Sequence, residues 1–561
     1  MVRHVWILVS MITLPTTFNC LCSITSLCLT SKAFRATATP HLYAKIIINL
    51  VNADEVRRYL RSMVVGGSVH LKATRSLTLI DSVPSPEPYY ERPLRFLAIR
   101  QAFRDAISEY GIINSLVEYN LALVIDTLPV DCLHTFRFLS TNAISLDILL
   151  ELKKGQGNSL QRLQLSYNDD ALGYLRFRNL KALDLWLPKP GQTAPQDPQR
   201  SPRAYPTAIR LEQLCLAAAH DYGVDYSTAV NHTLQDINVH WLSQNTIKVL
   251  TLCGLSLSLL EPSFAQIVHL PTLAQLTLWS CSGAHEFLTA IVQSPNFAAL
   301  RLRHFGLEIH PDSEQFIEEP LEALLGSSMC LSSLCLQWDG ARGYEPRALL
   351  SEIQKIGTNL RILSLHGMQV EPLGLAEFGK VCKSCPNLEQ LGYRKSHTWN
   401  EYTVDEDYVS MASQLVDLDC LPKLKILHLR QNFRGTIQWD PYMNETDLNA
   451  LLAFRLHKAA SKIFECLTEN NQSPALEAVV IGQGSQSSIQ DEEEYVEHTK
   501  LHCYLKGELR DAAGRRRVVA SPITPHELRV TMDYAGILDW HTRRSELGEW
   551  ISRVPGRFNY D

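Results

Sequence analysis

One apolar pattern recurs along the chain: an apolar residue, two variable positions, a second apolar residue, one variable position and a third apolar residue. The last two apolar residues lie two positions apart, so both face the same side of a short strand. The pattern returns at intervals of about 20 to 36 residues, with a mean of about 29. It predicts one strand per repeat, with examples at Leu94-Leu97-Ile99, Leu133-Phe136-Phe138, Leu160-Leu163-Leu165, Phe297-Leu300-Leu302, Leu360-Leu363-Leu365 and Leu424-Leu427-Leu429.

The segments between these strands have apolar residues at three- and four-residue steps, which is typical of helices. They include Ala284–Val292, Glu318–Leu325, Pro346–Ile356 and Ala376–Cys382. A strand and one helix cannot bury a core alone, so neighbouring units must stack with their strands in parallel. The chain resembles the long, variable leucine-rich repeats with helical backs. This resemblance implies an α/β solenoid with parallel strands on its concave face.

The alternative is a doubly wound sheet of unrelated strand–helix units. Such a sheet would carry phosphate-loop glycines and longer apolar strands, and the sequence has neither. The repeat array is predicted over residues 94–485, preceded by a short helical segment at 1–45 and a capping segment at 46–93. Residues 486–561 are predicted to form a C-terminal cap, and the proline-rich stretch 188–207 an open loop.

Near the start of the chain, Ser31-Lys32-Ala33-Phe34 is followed by Pro40-His41-Leu42-Tyr43. This segment resembles the second half of a fungal F-box, the helical module by which SCF-type ubiquitin ligase receptors bind their adaptor. The first half departs from the F-box pattern, since only eight residues separate Pro15 from Ile24. The resemblance implies that the adaptor-binding residues are Leu14, Pro15, Ile24, Leu27, Lys32 and Phe34. The other interpretation is an amphipathic helix that caps the first repeat.

Composition narrows the choice of partners and compartment. The 561 residues have a formal net charge of −6 and no long basic run, which argues against nucleic acid or an anionic membrane as a partner. The 14 cysteines are spread singly, many of them within apolar runs, and this favours a reduced setting in the cytoplasm or nucleus. The apolar run from Val5 to Leu14 keeps a signal peptide, and therefore secretion, as an alternative.

The sequence contains no recognisable catalytic motif: Gly-x-Ser-x-Gly, a phosphate-binding loop and His-Glu-x-x-His do not occur. The pair Cys382 and Cys385 has no second pair at zinc spacing. We therefore expect a non-enzymatic protein with no cofactor and no metal. The F-box resemblance implies a substrate-recognition subunit of an SCF-type ligase, with the adaptor, the cullin and an unidentified protein substrate as partners. The alternatives are a leucine-rich-repeat scaffold without ubiquitin coupling and a secreted leucine-rich-repeat protein.

Side chains that flank the apolar strand positions point away from the core and would line the concave face. Tryptophan and arginine among them are the residue types enriched at binding hot spots. Trp279 is predicted to lie beside Arg301 and Arg303, which together would suit an acidic or phosphorylated peptide. The other interpretation is that loops or the C-terminal tail cover this face. The predicted partner-binding residues are Trp186, Trp279, Arg301, Arg303, His366, Arg394, His428 and Arg430.

Overall fold

The computed structural model describes residues 32–50, 53–62, 68–80, 117–139, 144–166, 177–187, 211–218, 247–255, 257, 270–309, 317–338, 347–367, 375–393, 421–429, 445–469, 475–482, 501–510, 513–523, 528, 531–532 and 537. The chain divides into two compact units. The described residues up to 255 belong to the first unit, and residue 257 together with those from 270 to 537 belongs to the second. Each unit is considered by itself below.

The first unit is a stack of short parallel strands in sequence order. Its strands are β1 (Lys45–Asn49), β2 (Ser76–Ile80), β3 (Thr135–Leu139), β4 (Arg162–Ser166), β5 (Ala182–Leu187), β6 (Gln213–Ala218) and β7 (Val249–Cys253). Each strand pairs in parallel with the next. The helices described in this unit are α1 (Lys32–Ala44), α2 (Ala53–Ser62), α3 (Ser68–Leu71), α4 (residues 117–126) and α5 (Leu146–Gln156).

The second unit repeats this arrangement and ends in a hairpin. Strands β8 (Gln275–Cys281), β9 (His304–Ile309), β10 (Ser333–Trp338), β11 (Ile362–Gly367), β12 (Gln390–Tyr393), β13 (Ile426–Leu429) and β14 (Ala478–Ile481) pair in parallel. Strands β15 (His502–Arg510) and β16 (Arg516–Ile523) continue the sheet in antiparallel fashion. The helices are α6 (Ala284–Val292), α7 (Glu318–Ser327), α8 (Arg347–Ile356), α9 (Leu375–Ser384) and α10 (Glu445–Glu469).

The leucines of the repeated pattern form the core of each unit. In β4 the motif residues Leu160, Leu163 and Leu165 are all buried, and Leu163 and Leu165 face Leu183 and Leu185 of β5. Because the register places equivalent leucines side by side, every coil buries its apolar residues against the next coil. The parallel strands alternating with helices confirm the predicted α/β fold of leucine-rich-repeat type.

Turns between coils are joined by two kinds of hydrogen bond. The carbonyl one residue before a strand accepts two backbone N–H groups from the next coil, as Arg361 does from Glu389 and Gln390 at 2.8 and 2.9 Å. In addition, the Asn387 side chain donates its Nδ2 to the Thr358 carbonyl at 2.8 Å. Asn179 and Asn359, which also precede a repeat leucine, donate in the same way to the carbonyls of Asn158 and Met329. These three asparagines therefore bond one turn to the turn before it.

Several sequence predictions require correction. The sheet begins before residue 94, because β1 and β2 precede it, and buried Thr74 stands where the pattern of β2 would have an apolar residue. The triplet Phe297-Leu300-Leu302 was assigned to the wrong register. The strand starts at His304, and the triplet in register with the neighbouring strands is Leu302-Phe305-Leu307, although Leu300 is buried as well. Two overlapping apolar triplets fit this stretch, and sequence alone cannot choose between them.

Strands β15 and β16 form an antiparallel hairpin within the segment 486–561 that the sequence predicts as a C-terminal cap. The motif Leu94-Leu97-Ile99 and the loop at 188–207 lie outside the described residues.

Candidate functional site

Each strand has two faces with different surroundings. A helix that connects two neighbouring parallel strands lies against one face of the sheet, here called the helix face. Side chains alternate along a strand, so the residues between the core leucines point to the other side, here called the opposite face. In the first unit one row of the opposite face runs in register through Ile47, Thr78, Arg137, Gln164, Asp184, Cys215 and Thr251.

A group of polar side chains lies on the opposite face of β3, β4 and β5, and we call it the polar patch: Thr135, Arg137, Arg162, Gln164 and Asp184. Nε and Nη2 of Arg162 donate to Oδ2 of Asp184 at 2.9 and 2.6 Å. The Arg162 side chain is 36% exposed and the Asp184 side chain 13%. Since both nitrogens bind the same carboxylate oxygen, the guanidinium is held in a fixed orientation at the surface.

The rest of the patch adds other chemistry beside this ion pair. Arg137 and Gln164 are half-buried and stand in register with Asp184. At the end of the same row, Ile47 of β1 is 55% exposed. A cation, a carboxylate, an amide and an apolar side chain therefore share one face. Such a mixture suits recognition of a protein surface, in which apolar contact and directional hydrogen bonds act together.

The opposite face of the second unit is closed. Its middle row runs in register through Thr277, Gly306, Cys335, Ser364, Gly392, His428 and Val480, all of them buried. Part of the cover comes from the end of the chain, because Leu528, Met532 and Ile537 pack in one cluster with Ile362, Ile426, Ala478 and Val480. The backbone N–H of Ile537 also donates to Oε1 of Gln390 at 2.8 Å.

Two predicted binding residues are therefore buried. Trp279 is 2% exposed and lies at an irregularity in the pairing of β8 with β9. His428 is 0% exposed, and its Nε2 donates to the Gly482 carbonyl at 2.8 Å. Neither side chain is accessible to a partner in this structure. Strand alternation shows that a side chain leaves the helix face, but it does not show what covers the other face.

Arg301 and Arg303 are exposed, but they do not lie on a strand beside Trp279 as predicted. Both precede β9. Nη1 of Arg301 donates to the carbonyls of Ala298 and Leu300 at 3.2 and 3.0 Å, which holds the side chain against its own turn. The Arg303 carbonyl accepts N–H groups from Ser332 and Ser333. The predicted site for an acidic peptide at Trp279, Arg301 and Arg303 is therefore not formed.

The remaining predicted residues are only partly described. Trp186 and His366 lie in strands β5 and β11, and their side chains are outside the described part of the chain. Arg394 and Arg430 lie outside the described residues, as do Leu14, Pro15, Ile24 and Leu27. Lys32 is exposed at the first residue of α1, and Phe34 belongs to the same helix.

Sequence reasoning did not single out Arg137, Gln390 or Gly392. A signal for them was present, because each occupies a variable position flanking a buried strand residue. Across β8 to β12 the position between the last two apolar strand residues holds only small side chains: Thr277, Gly306, Cys335, Ser364 and Gly392. Small residues repeated at this position indicate that something packs closely against the sheet.

Within the described ranges, no three histidine, cysteine, aspartate or glutamate side chains are grouped so that they could hold a metal ion. Cys382 and Cys385 are buried thiols joined by a turn, in which the Cys385 N–H donates to the Cys382 carbonyl at 3.0 Å.

None of the helices in the described part combines the length and apolar character needed to cross a membrane. Comparison with models of known protein families finds no match, and comparison with curated proteins finds no significant similarity.

Proposed function

We propose that this chain is a non-enzymatic protein-binding subunit whose working surface is the polar patch of the first unit. The observation that carries the proposal is the contrast between the two opposite faces. In the second unit the described middle row is buried. In the first unit Thr78 and Thr251 of the same row are buried as well, but the row is only half-buried from Arg137 to Cys215, and the adjacent Arg162, paired with Asp184, is 36% exposed. A rigid array of coils that presents an oriented ion pair is suited to recognising a partner rather than to transforming it.

We further propose that the partner is the substrate of an SCF-type ubiquitin ligase, acting in the cytoplasm or nucleus. The F-box-like sequence supports this, together with the way α1 joins the repeats. Helix α1 ends at Ala44 and β1 begins at Lys45, so no linker separates them. Ala38 is buried, and the Tyr43 and His70 rings lie against each other at a 32° tilt with centroids 5.4 Å apart. Because α1 and the polar patch belong to one unit, an adaptor bound near α1 would keep a bound substrate at high effective concentration.

The test is affinity purification of the full chain with identification of its partners by mass spectrometry. We expect the SCF adaptor and cullin together with one or more substrates. Arg162→Gln should remove the substrates and keep the adaptor, because it deletes the exposed member of the ion pair. Lys154→Gln is the matched control, since it removes one positive charge from the exposed side of α5 and should change nothing. Recovery of substrates without adaptor or cullin would favour the scaffold without ubiquitin coupling.

A further inference from the structure

Strands β15 and β16 of the second unit form a hairpin that extends past the strand before it. Strand β14 pairs with β15 only over residues 502–505, whereas β15 and β16 pair with each other as far as Arg510 and Arg516. Strand β16 is the last strand of the sheet. The side of β16 that faces away from β15 is here called the outer edge. An edge strand presents backbone N–H and C=O groups with which another chain can pair.

Part of the outer edge is closed by the protein itself. Nε2 of His457 on α10 donates to the Ala520 carbonyl at 2.8 Å. The Ala520 N–H donates to Oγ of Ser461, also on α10, at 3.1 Å. Pro522, two residues farther along the strand, has no N–H to offer. The half of the outer edge that contains Ala520 and Pro522 is therefore unable to accept another strand.

The other half of the outer edge is open. Backbone groups alternate in direction along an antiparallel strand, so those of Arg516 and Val518 point to the same side as those of Ala520. Within the described part of the chain, neither Arg516 nor Val518 has a backbone hydrogen bond to a group outside β15. Two N–H groups and two C=O groups are thus available here to pair with an added strand.

Basic side chains surround the open half. Between residues 506 and 517 the chain has five basic and two acidic residues, a net charge of +3, although the whole chain has −6. The exposed arginines are Arg510, Arg515, Arg516 and Arg517. Nη1 of Arg516 lies 3.8 Å from Oε2 of Glu508 with both side chains more than half exposed, which is a weak pairing. At the same end of the hairpin Leu509 is 61% exposed. Acidic and apolar side chains together complement this surface.

We propose that the outer edge at Arg516 and Val518 binds an extended acidic segment of a partner protein, which adds a strand to the sheet. Backbone hydrogen bonds hold the segment in register, and its carboxylates meet the exposed arginines. Charge excludes a second copy of this chain bound through the same edge, because arginines would then face arginines. The inference concerns the second unit and does not rest on the proposed ubiquitin function.

The test measures binding of fluorescent peptides to the full-length chain by anisotropy at low salt. The first peptide alternates glutamate and valine over about eight residues, within the usual length of a strand. It should bind, and the same peptide with lysine in place of glutamate should not. A third peptide keeps every glutamate but has methylated backbone amides, so it cannot donate strand hydrogen bonds. It should bind at least about tenfold more weakly than the first.

Substitutions in the chain separate the backbone contribution from the charge contribution. Val518→Pro removes an outward N–H, keeps every charge and should weaken binding of the glutamate peptide about tenfold. Val518→Thr, the matched control, keeps the N–H and should bind like the wild type. Replacing Arg516 and Arg517 together by glutamine should weaken binding and reduce its salt dependence. Lys154→Gln, which removes an exposed charge from the first unit, should leave binding unchanged.

Absence of binding by the wild-type chain would overturn the proposal. Equal binding of the methylated and unmethylated glutamate peptides would also overturn it, and this comparison uses the unaltered protein, so it does not depend on whether a variant folds. Tighter binding of a single-stranded oligonucleotide of the same charge than of the glutamate peptide would assign the surface to nucleic acid instead.

Discussion

The side chain of Gln156 lies inside the first unit, 1% exposed, and serves three backbone groups of a neighbouring turn. Its Oε1 accepts the N–H groups of Cys132 and Leu133, each at 2.9 Å. Its Nε2 donates to the Pro129 carbonyl at 2.8 Å. One amide thus satisfies three backbone groups that the turn before β3 would otherwise leave unpaired.

Replacing Gln156 by leucine keeps much of the volume and removes all three bonds. We expect the free energy of unfolding to fall by about 2–5 kcal/mol, since buried donors and an acceptor are left unsatisfied. Urea unfolding of the variant measures this. Gln161→Leu, at an exposed position, is the control and should change stability by less than about 0.5 kcal/mol. Equal values for the two variants would show that the amide at 156 is not structurally important.

His304, the first residue of β9, should make stability depend on pH. Burial, and secondarily the charge of Arg303, lowers the pKa of His304 below its usual 6.5. Between 6.5 and that lower pKa the unfolded chain binds the proton and the folded chain does not. Stability therefore falls as the pH drops below about 6.5 and is unaffected by this group above it.

The measurement is the urea midpoint at pH 7.5 and 5.5 for the wild type and for His304→Gln. The variant should lose less stability on acidification than the wild type. In a proton-detected titration, Arg303→Gln should move the pKa of His304 up towards its usual value. A His304 pKa above 6.5 in the folded protein would contradict the assignment.

At the scale of elements, the sequence specified most strands, because the leucine pattern and the strand period coincide. The strand prediction was incomplete where the apolar pattern fits a stretch in two registers or lacks one of its apolar residues. At β9 two overlapping triplets fit the same stretch, and only the pairing of Phe305 with Leu276 and Leu334 decides between them. At β2 a buried threonine, Thr74, replaces the first apolar residue. Register of this kind is set by contacts with neighbouring coils, which a local pattern does not contain.

Close stacking of the coils predicts opposite effects for two glycine-to-alanine substitutions. Gly357 lies in the short 3-10 turn after α8, where a Cβ atom would be 2.5 Å from the Ser384 carbonyl oxygen. Gly155 lies in α5, where a Cβ atom would meet nothing within 4 Å. We expect Gly357→Ala to destabilise by about 1–3 kcal/mol through overpacking.

Gly155→Ala should instead stabilise by about 0.5–1 kcal/mol, because alanine loses less conformational entropy in a helix. Thermal melting of both variants provides the comparison. Destabilisation by both, or by neither, would mean that the spacing between coils at Gly357 is looser than described.

At the scale of the whole molecule, the sequence indicated the fold class but not which face is available to a partner. Alternation along a strand predicts which side chains point away from the core. It could not show that Gln390 bonds to Ile537, 147 residues farther along the chain. Strand alternation likewise does not show that Trp279 and His428 are buried. The cover is a tertiary contact with no local signature.

The opposite face is partly accessible around the polar patch of the first unit and is closed along the described middle row of the second. Two cysteines at equivalent positions report on this difference: Cys215 of β6, which is half-buried in the row of the polar patch, and Cys335 of β10, which is buried in the middle row of the second unit. Alkylation of the folded chain, followed residue by residue with peptide mass spectrometry, should label Cys215 at least tenfold faster than Cys335. Equal rates, or faster labelling of Cys335, would contradict the assignment of the two faces.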